Sequence, residues 1–126
     1  SYQKIKNVLN ANAKGVYQGK IYVKDIAQKT DAYQLSKALL LNDENEFNSK
    51  PELEIYADDV KCSHGSTSGN IEEESLYYLM TRGLNKEQSV RLLINGFLND
   101  IVDVIKSETI KKFISSNLEK QIYEYK

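Results

Sequence analysis

Cys62 and His64 are the only cysteine and the only histidine of the chain, and they stand two residues apart in KCSHG. In an extended strand, side chains at i and i+2 project to the same face, so this pair should point together with Ser63 on the opposite side. A sulfur beside an imidazole is half of a site for iron, zinc or an iron–sulfur cluster. A closed structural zinc site takes four ligands, which one cysteine and one histidine cannot supply, so any metal role must recruit a second chain. The competing structural reading packs Cys62 as a small buried hydrophobe and lets His64 cap a strand end before Gly65. A nucleophilic Cys–His dyad would also need a third group to orient the ring. Asp58 and Asp59 are the nearest carboxylates, and an acidic pair at a strand end reads as a solvated turn, so the chain is not read as an enzyme.

Three other stretches invite a chemical reading and fail it. GSTSG, residues 65 to 69, lacks the lysine of a phosphate-binding loop and reads as a turn into a helix. Gly15 and Gly19 read as tight corners, because no helix opens after them as dinucleotide binding requires. The nine tyrosines are scattered and form no platform on which bases could stack.

The elements that must position the pair change character near residue 70. Before it, apolar stretches with two-residue alternation read as strands: Ile5 to Leu9, Val16 to Val23, Ala38 to Leu41 and Leu53 to Val60. Ile21 and Val23 oppose Tyr22 and Lys24, and Leu53, Ile55 and Ala57 oppose Glu54, Tyr56 and Asp58, so each strand buries one face. Turn-forming clusters punctuate them at residues 10 to 12, 14 to 15 and 29 to 31, and the polar run Asn42 to Ser49 ends near Pro51. After residue 70 the period is helical. Asn70 with Glu73 resembles a capping box for a helix over about 72 to 82, which Arg82-Gly83 ends; its apolar positions are Leu76, Leu79 and Met80. Asn85 with Gln88 repeats the signal before Val90, Leu93, Ile94, Phe97, Leu98, Ile101, Val104 and Ile105, which keep helical spacing. A third helix starts near Ser107 as N-cap.

Strands first and helices afterwards predict an α+β arrangement, with either a small sandwich or the coils of a β-solenoid in the first part. The 126 residues make one folding unit at most, and 17 basic against 18 acidic residues leave no field to draw nucleic acid or an anionic membrane surface. No apolar run approaches the roughly 18 residues of a membrane span. A single cysteine excludes an internal disulfide, which fits a reducing compartment. The first residues do not read as a signal or transit peptide.

KGVYQGKIYV, AQKTDAYQLSKALLL, KPELEIYADDVKCSHGSTSG and EESLYYLMTRGL, in this order and spacing, resemble the C-terminal portion of the SufD branch of the SufB/SufD family, scaffold subunits of the SUF system for iron–sulfur cluster assembly. The resemblance implies a right-handed parallel β-helix, here residues 1–69 as its last coils, followed by a helical domain over 70–126. It implies partners: a SufB-type paralogue bound through the β-helix, and a SufC-type ABC ATPase held by the helical domain through Leu76, Tyr77, Met80, Leu84 and Arg91. It implies that His64, with Cys62 beside it, contributes to a metal or cluster site shared with SufB, and that no cofactor is held stably by this chain alone. The sister branch carries a cysteine where this chain has Leu35 and an acidic residue where it has Gly65, which places the chain on the SufD side. A purely structural interaction module is the alternative. The fragment alone is expected to form a homodimer through its β part, in a bacterial cytoplasm or a plastid- or apicoplast-type organelle.

Overall fold

A computed structural model describes residues 1 to 124, so the end of the helical segment expected over 70–126 lies outside the described residues. Five strands, β1 (Tyr2–Leu9), β2 (Lys14–Val23), β3 (Asp31–Leu40), β4 (Glu46–Ile55) and β5 (Lys61–Asn70), precede three helices, α1 (Glu73–Thr81), α2 (Lys86–Val102) and α3 (Glu108–Tyr123). The chain divides into two compact units at residue 70.

In the first unit odd and even strands separate into two sheets, ordered β1-β3-β5 and β2-β4, and every pairing is parallel. Tyr2 stands beside Tyr33, Lys14 beside Glu46 and Asp31 beside Lys61, so the chain returns to the same sheet after about 30 residues. Parallel neighbours cannot be joined by a two-residue hairpin; here each connection crosses to the other sheet first. The faces follow from burial and close approach. Ala32, Gln34, Ser36 and Ala38 alternate as buried residues along β3. A Cβ at Gly19 would fall 2.7 and 2.8 Å from the Gln34 amide and 2.4 Å from Tyr17 Oη, so the two sheets face each other there. Gly19 and Gly15 are therefore not corners. Both lie inside β2, and the missing side chain at Gly19 makes room for the Gln34 amide from the opposite sheet.

The interior is unusually polar. Asn45, 5% exposed, ties two turns together: Ala13 N–H donates to its Oδ1 (2.9 Å) and its Nδ2 donates to the Leu9 carbonyl (2.8 Å). The backbone amide of Glu46 then donates to the Ala13 carbonyl, and β4 starts.

Several expected boundaries move. The polar run from Asn42 is a turn only to Asn45, because Phe47 and Ser49 alternate inward on β4. The strand expected to reach Val60 stops at Ile55, and Ala57 is buried just beyond its end, before the bend at Asp58 and Asp59. Leu53 and Ile55 share the inward side of β4 in register with Ile21 and Val23, yet they are 40% and 37% exposed, because β4 is the free edge of its sheet. GSTSG is not a turn; it extends β5 in register along β3 as far as Asn70.

In the second unit, α1 begins after Glu72 with no side-chain cap bond, so the Asn70–Glu73 capping box does not form; Asn70 ends β5 and donates to Asp43 (2.5 Å). The stop is as expected. Gly83, at φ 98°, donates its N–H to the Met80 carbonyl, and Leu84 N–H reaches Leu79, a Schellman arrangement that only a residue tolerant of positive φ closes cheaply. The Asn85–Gln88 capping box is complete, with both bonds at 2.9 Å. α2 ends at Val102, earlier than the apolar spacing suggested, and leaves Val104 73% exposed. Ser107 caps α3, with its hydroxyl accepting from Ile110 N–H at 3.4 Å. Val90, Ile94, Val102 and Ile122 form the buried core of this unit.

Candidate functional site

The segment carrying Cys62 and His64, KCSHGSTSGN, is poor in residues that favour strands and rich in serine and glycine. It is extended because β3 templates it: all ten positions of β5 pair in register with Asp31–Leu40. The i, i+2 geometry then holds. Cys62 stands beside Ala32 and His64 beside Gln34, and these two neighbours are 5% and 2% exposed on the inward side of β3. β5 is the edge of its sheet, so no further strand covers the pair; Cys62 is half-buried and His64 exposed.

Behind His64 lies a ladder of side-chain amides. Gln3, Gln34 and His64 occupy consecutive rungs of β1, β3 and β5 on one face. Gln34 Nε2 donates to Gln3 Oε1 at 2.9 Å, while Gln34 Oε1 is buried without a partner. Sequence reading missed both glutamines, because the signal is not a local motif but a register offset of about 30 residues.

The opposite side of the same strands is built differently. A Cβ on Gly65 would come 3.1 Å from Tyr33 Oη and 3.3 Å from Leu35 Cδ1, and Tyr33 stacks on Tyr2 with centroids 5.3 Å apart. Leu35 pairs with Gly65, so it lies on the face away from His64. Asp58 and Asp59 are exposed in a bend, where Asp59 N–H donates to Gln28 Oε1 and its carbonyl accepts from Lys29 N–H; they are turn residues, as the sequence suggested. No cluster of three or more His, Cys, Asp or Glu placed for a metal exists among the described residues. Two donors alone do not complete a coordination shell.

On the second sheet, Lys20 holds the Glu54 carboxyl below its ordinary range through a direct charged hydrogen bond, helped by Tyr56 Oη at 2.6 Å, and Glu54 in turn raises Lys20 and Tyr56. In the helical unit, the hydrogen bond from Lys111 to Asp103 (2.9 Å) raises the lysine.

The five residues assigned to partner binding fare unequally. Tyr77 and Met80 are 71% and 42% exposed on α1, while Leu76 and Leu84 are half-buried. Arg91 is occupied: it pairs with Glu87 (2.5 Å), lies over the Tyr123 ring and donates to the Tyr123 carbonyl.

No helix among the described residues is long and apolar enough to cross a membrane. The described residues thus form a two-sheet parallel unit that ends in a polar edge strand, followed in the chain by a unit of three helices. Residues 1–97 match the model of the SUF system FeS cluster assembly, SufBD core domain, and the chain belongs to this family. It is 36% identical over 118 residues to the iron-sulfur cluster assembly protein SufD of Escherichia coli, and 34% identical over 115 residues to SufD of Bacillus subtilis. These alignments cover 94% and 91% of the chain, but 28% and 26% of the relatives. The chloroplastic protein ABCI7 of Arabidopsis thaliana is 38% identical over 104 residues, 82% of the chain and 22% of that relative. The chain spans about a quarter of the length of the curated relatives it matches.

Proposed function

We propose that the chain is the C-terminal part of a SufD-type scaffold subunit, which assembles iron–sulfur clusters without being an enzyme, and that His64 contributes one ligand to a cluster site completed by a SufB-type paralogue. The cluster is cargo, built and passed on. The observation that carries this reading is the placement of the only histidine and the only cysteine together on the uncovered edge strand of a SufBD-family unit. The parallel sheets, with the chain crossing between them at each turn, support the finer reading of the first unit as the last coils of a right-handed β-helix. The half-exposed inward residues Leu53 and Ile55 and the free edges of β4 and β5 support pairing with a homologous β-helix, and homodimer formation when the fragment is alone.

The second unit docks a SufC-type ATPase through the α1–α2 turn and the outer side of α2. Support comes from the thin core beneath a broad apolar surface, with Tyr77, Tyr78, Met80 and Leu92 all exposed. Arg91 acts there indirectly, by fixing α2 against the end of α3.

Complementation tests the site. In cells lacking the endogenous subunit, full-length protein with His64→Ala is compared with Cys62→Ser at equal complex yield. His64→Ala fails and Cys62→Ser supports growth in this account; the reverse result moves the ligand role to the cysteine. Function of both variants would leave the chain a structural module alone.

A further inference from the structure

Gln34 is 2% exposed, it stands on the rung next to His64, and one of its two polar ends has no partner. An unsatisfied buried carbonyl is costly, so a fold that keeps one beside an imidazole has a use or a partner for it. We propose that Gln34 is a positioning residue for His64: its Oε1 accepts the ring N–H of His64, extending the Gln3–Gln34 amide ladder by one rung. This rests on the role proposed for His64 above.

Both the geometry and the polarity fit. Adjacent strands lie about 4.8 Å apart, and a glutamine and a histidine on the same face of neighbouring strands span that gap with one hydrogen bond. The direction of the Gln34 amide is already fixed, because its Nε2 is committed to Gln3 Oε1 at 2.9 Å. Gly19 makes this possible, since a Cβ there would occupy the space of both amide atoms. The end of the amide left free is an acceptor, and an acceptor selects a protonated ring nitrogen. The other ring nitrogen then carries the lone pair and faces away from the ladder, toward whatever closes the open edge. Fixing the tautomer through the far nitrogen is how metal-binding imidazoles are commonly oriented, usually by a carboxylate or a carbonyl. Here the carbonyl belongs to a side chain whose own anchor lies one rung further back.

The single histidine makes the test direct. The chain is labelled with nitrogen-15 histidine, and the ratio of the two ring tautomers of His64 is read by long-range proton–nitrogen correlation at a pH where the ring is neutral. Gln34→Leu is expected to change that ratio by about fivefold, the bias one net hydrogen bond gives, and Gln34→Glu, which keeps an acceptor, to preserve the bias. An unchanged ratio in a folded Gln34→Leu chain overturns the proposal. Should Gln34→Leu not fold, Gln3→Leu serves: it frees the Gln34 amide to rotate and should weaken the bias, and an unchanged ratio there is equally fatal. The readout does not depend on cluster assembly, so the ladder can fail while His64 remains essential, or hold while His64 proves dispensable.

Discussion

The two units solve the burial problem in opposite ways. The strand unit buries polar side chains, Gln34, Ser36 and Asn45 among them, and is held by parallel ladders joining residues about 30 apart. The helical unit buries Val90, Ile94, Val102 and Ile122, relies on local caps, and leaves Tyr77, Tyr78, Leu92, Ile110 and Phe113 in solvent. Order in the first comes from register, and a register can be extended by another chain at a free edge. In the second it comes from a small apolar core, whose uncovered remainder is the surface proposed above for docking.

The contrast breaks most visibly at the core of the helical unit. Ile94, 3% exposed, is the centre of α2, and Ile94→Ala should destabilise by about 3 kcal/mol through lost transfer energy and an unfilled cavity. Urea unfolding followed by the helical circular-dichroism signal reads this; a loss below 1 kcal/mol would mean that the core lies elsewhere. A pair of asparagines sharpens the comparison. Asn45→Ala removes two side-chain hydrogen bonds made by a buried residue, from the Ala13 N–H and to the Leu9 carbonyl, and should cost about 2 kcal/mol, against about 1 kcal/mol for the exposed N-cap Asn85→Ala. Equal losses would deny that buried polar ties carry the strand unit.

The smallest effect is one of pH. Glu54 has its folded pKa lowered by the Lys20 and Tyr56 hydrogen bonds, so its contribution is present above its ordinary value of 4.5 and is lost as pH falls through the lowered folded value. Because the group is solvent-exposed the effect is small. Glu54→Gln should flatten the acid limb of the stability curve slightly; an unchanged limb would show that the Lys20–Glu54 tie across β2 and β4 adds nothing.

Where a helix had a cap written in its own residues, the sequence was legible: Asn85–Gln88, Arg82-Gly83 and Ser107 all act where expected. Asn70–Glu73 carries the same kind of signal and misleads, because the ladder from β3 captures Asn70 as strand before the helix can use it. The same ladder overrides GSTSG, and the corresponding parallel pairings, of β3 with β1 and of β4 with β2, accompany strands that begin seven residues before the apolar stretches seen in sequence. Cys62 and His64 on one face followed from strand geometry alone. Their neighbours Ala32 and Gln34 did not, since a rung is set by pairing at a distance and no local spacing encodes it.

The account turns on His64. Full-length His64→Ala, produced together with the SufB-type paralogue and the SufC-type ATPase, is purified under exclusion of oxygen, and iron and acid-labile sulfide are counted per complex at unchanged subunit stoichiometry. The account predicts at least a severalfold loss of both relative to wild type, as expected when one ligand of a shared site is removed. Iron and sulfide at the wild-type level, in a complex of normal composition, would contradict it.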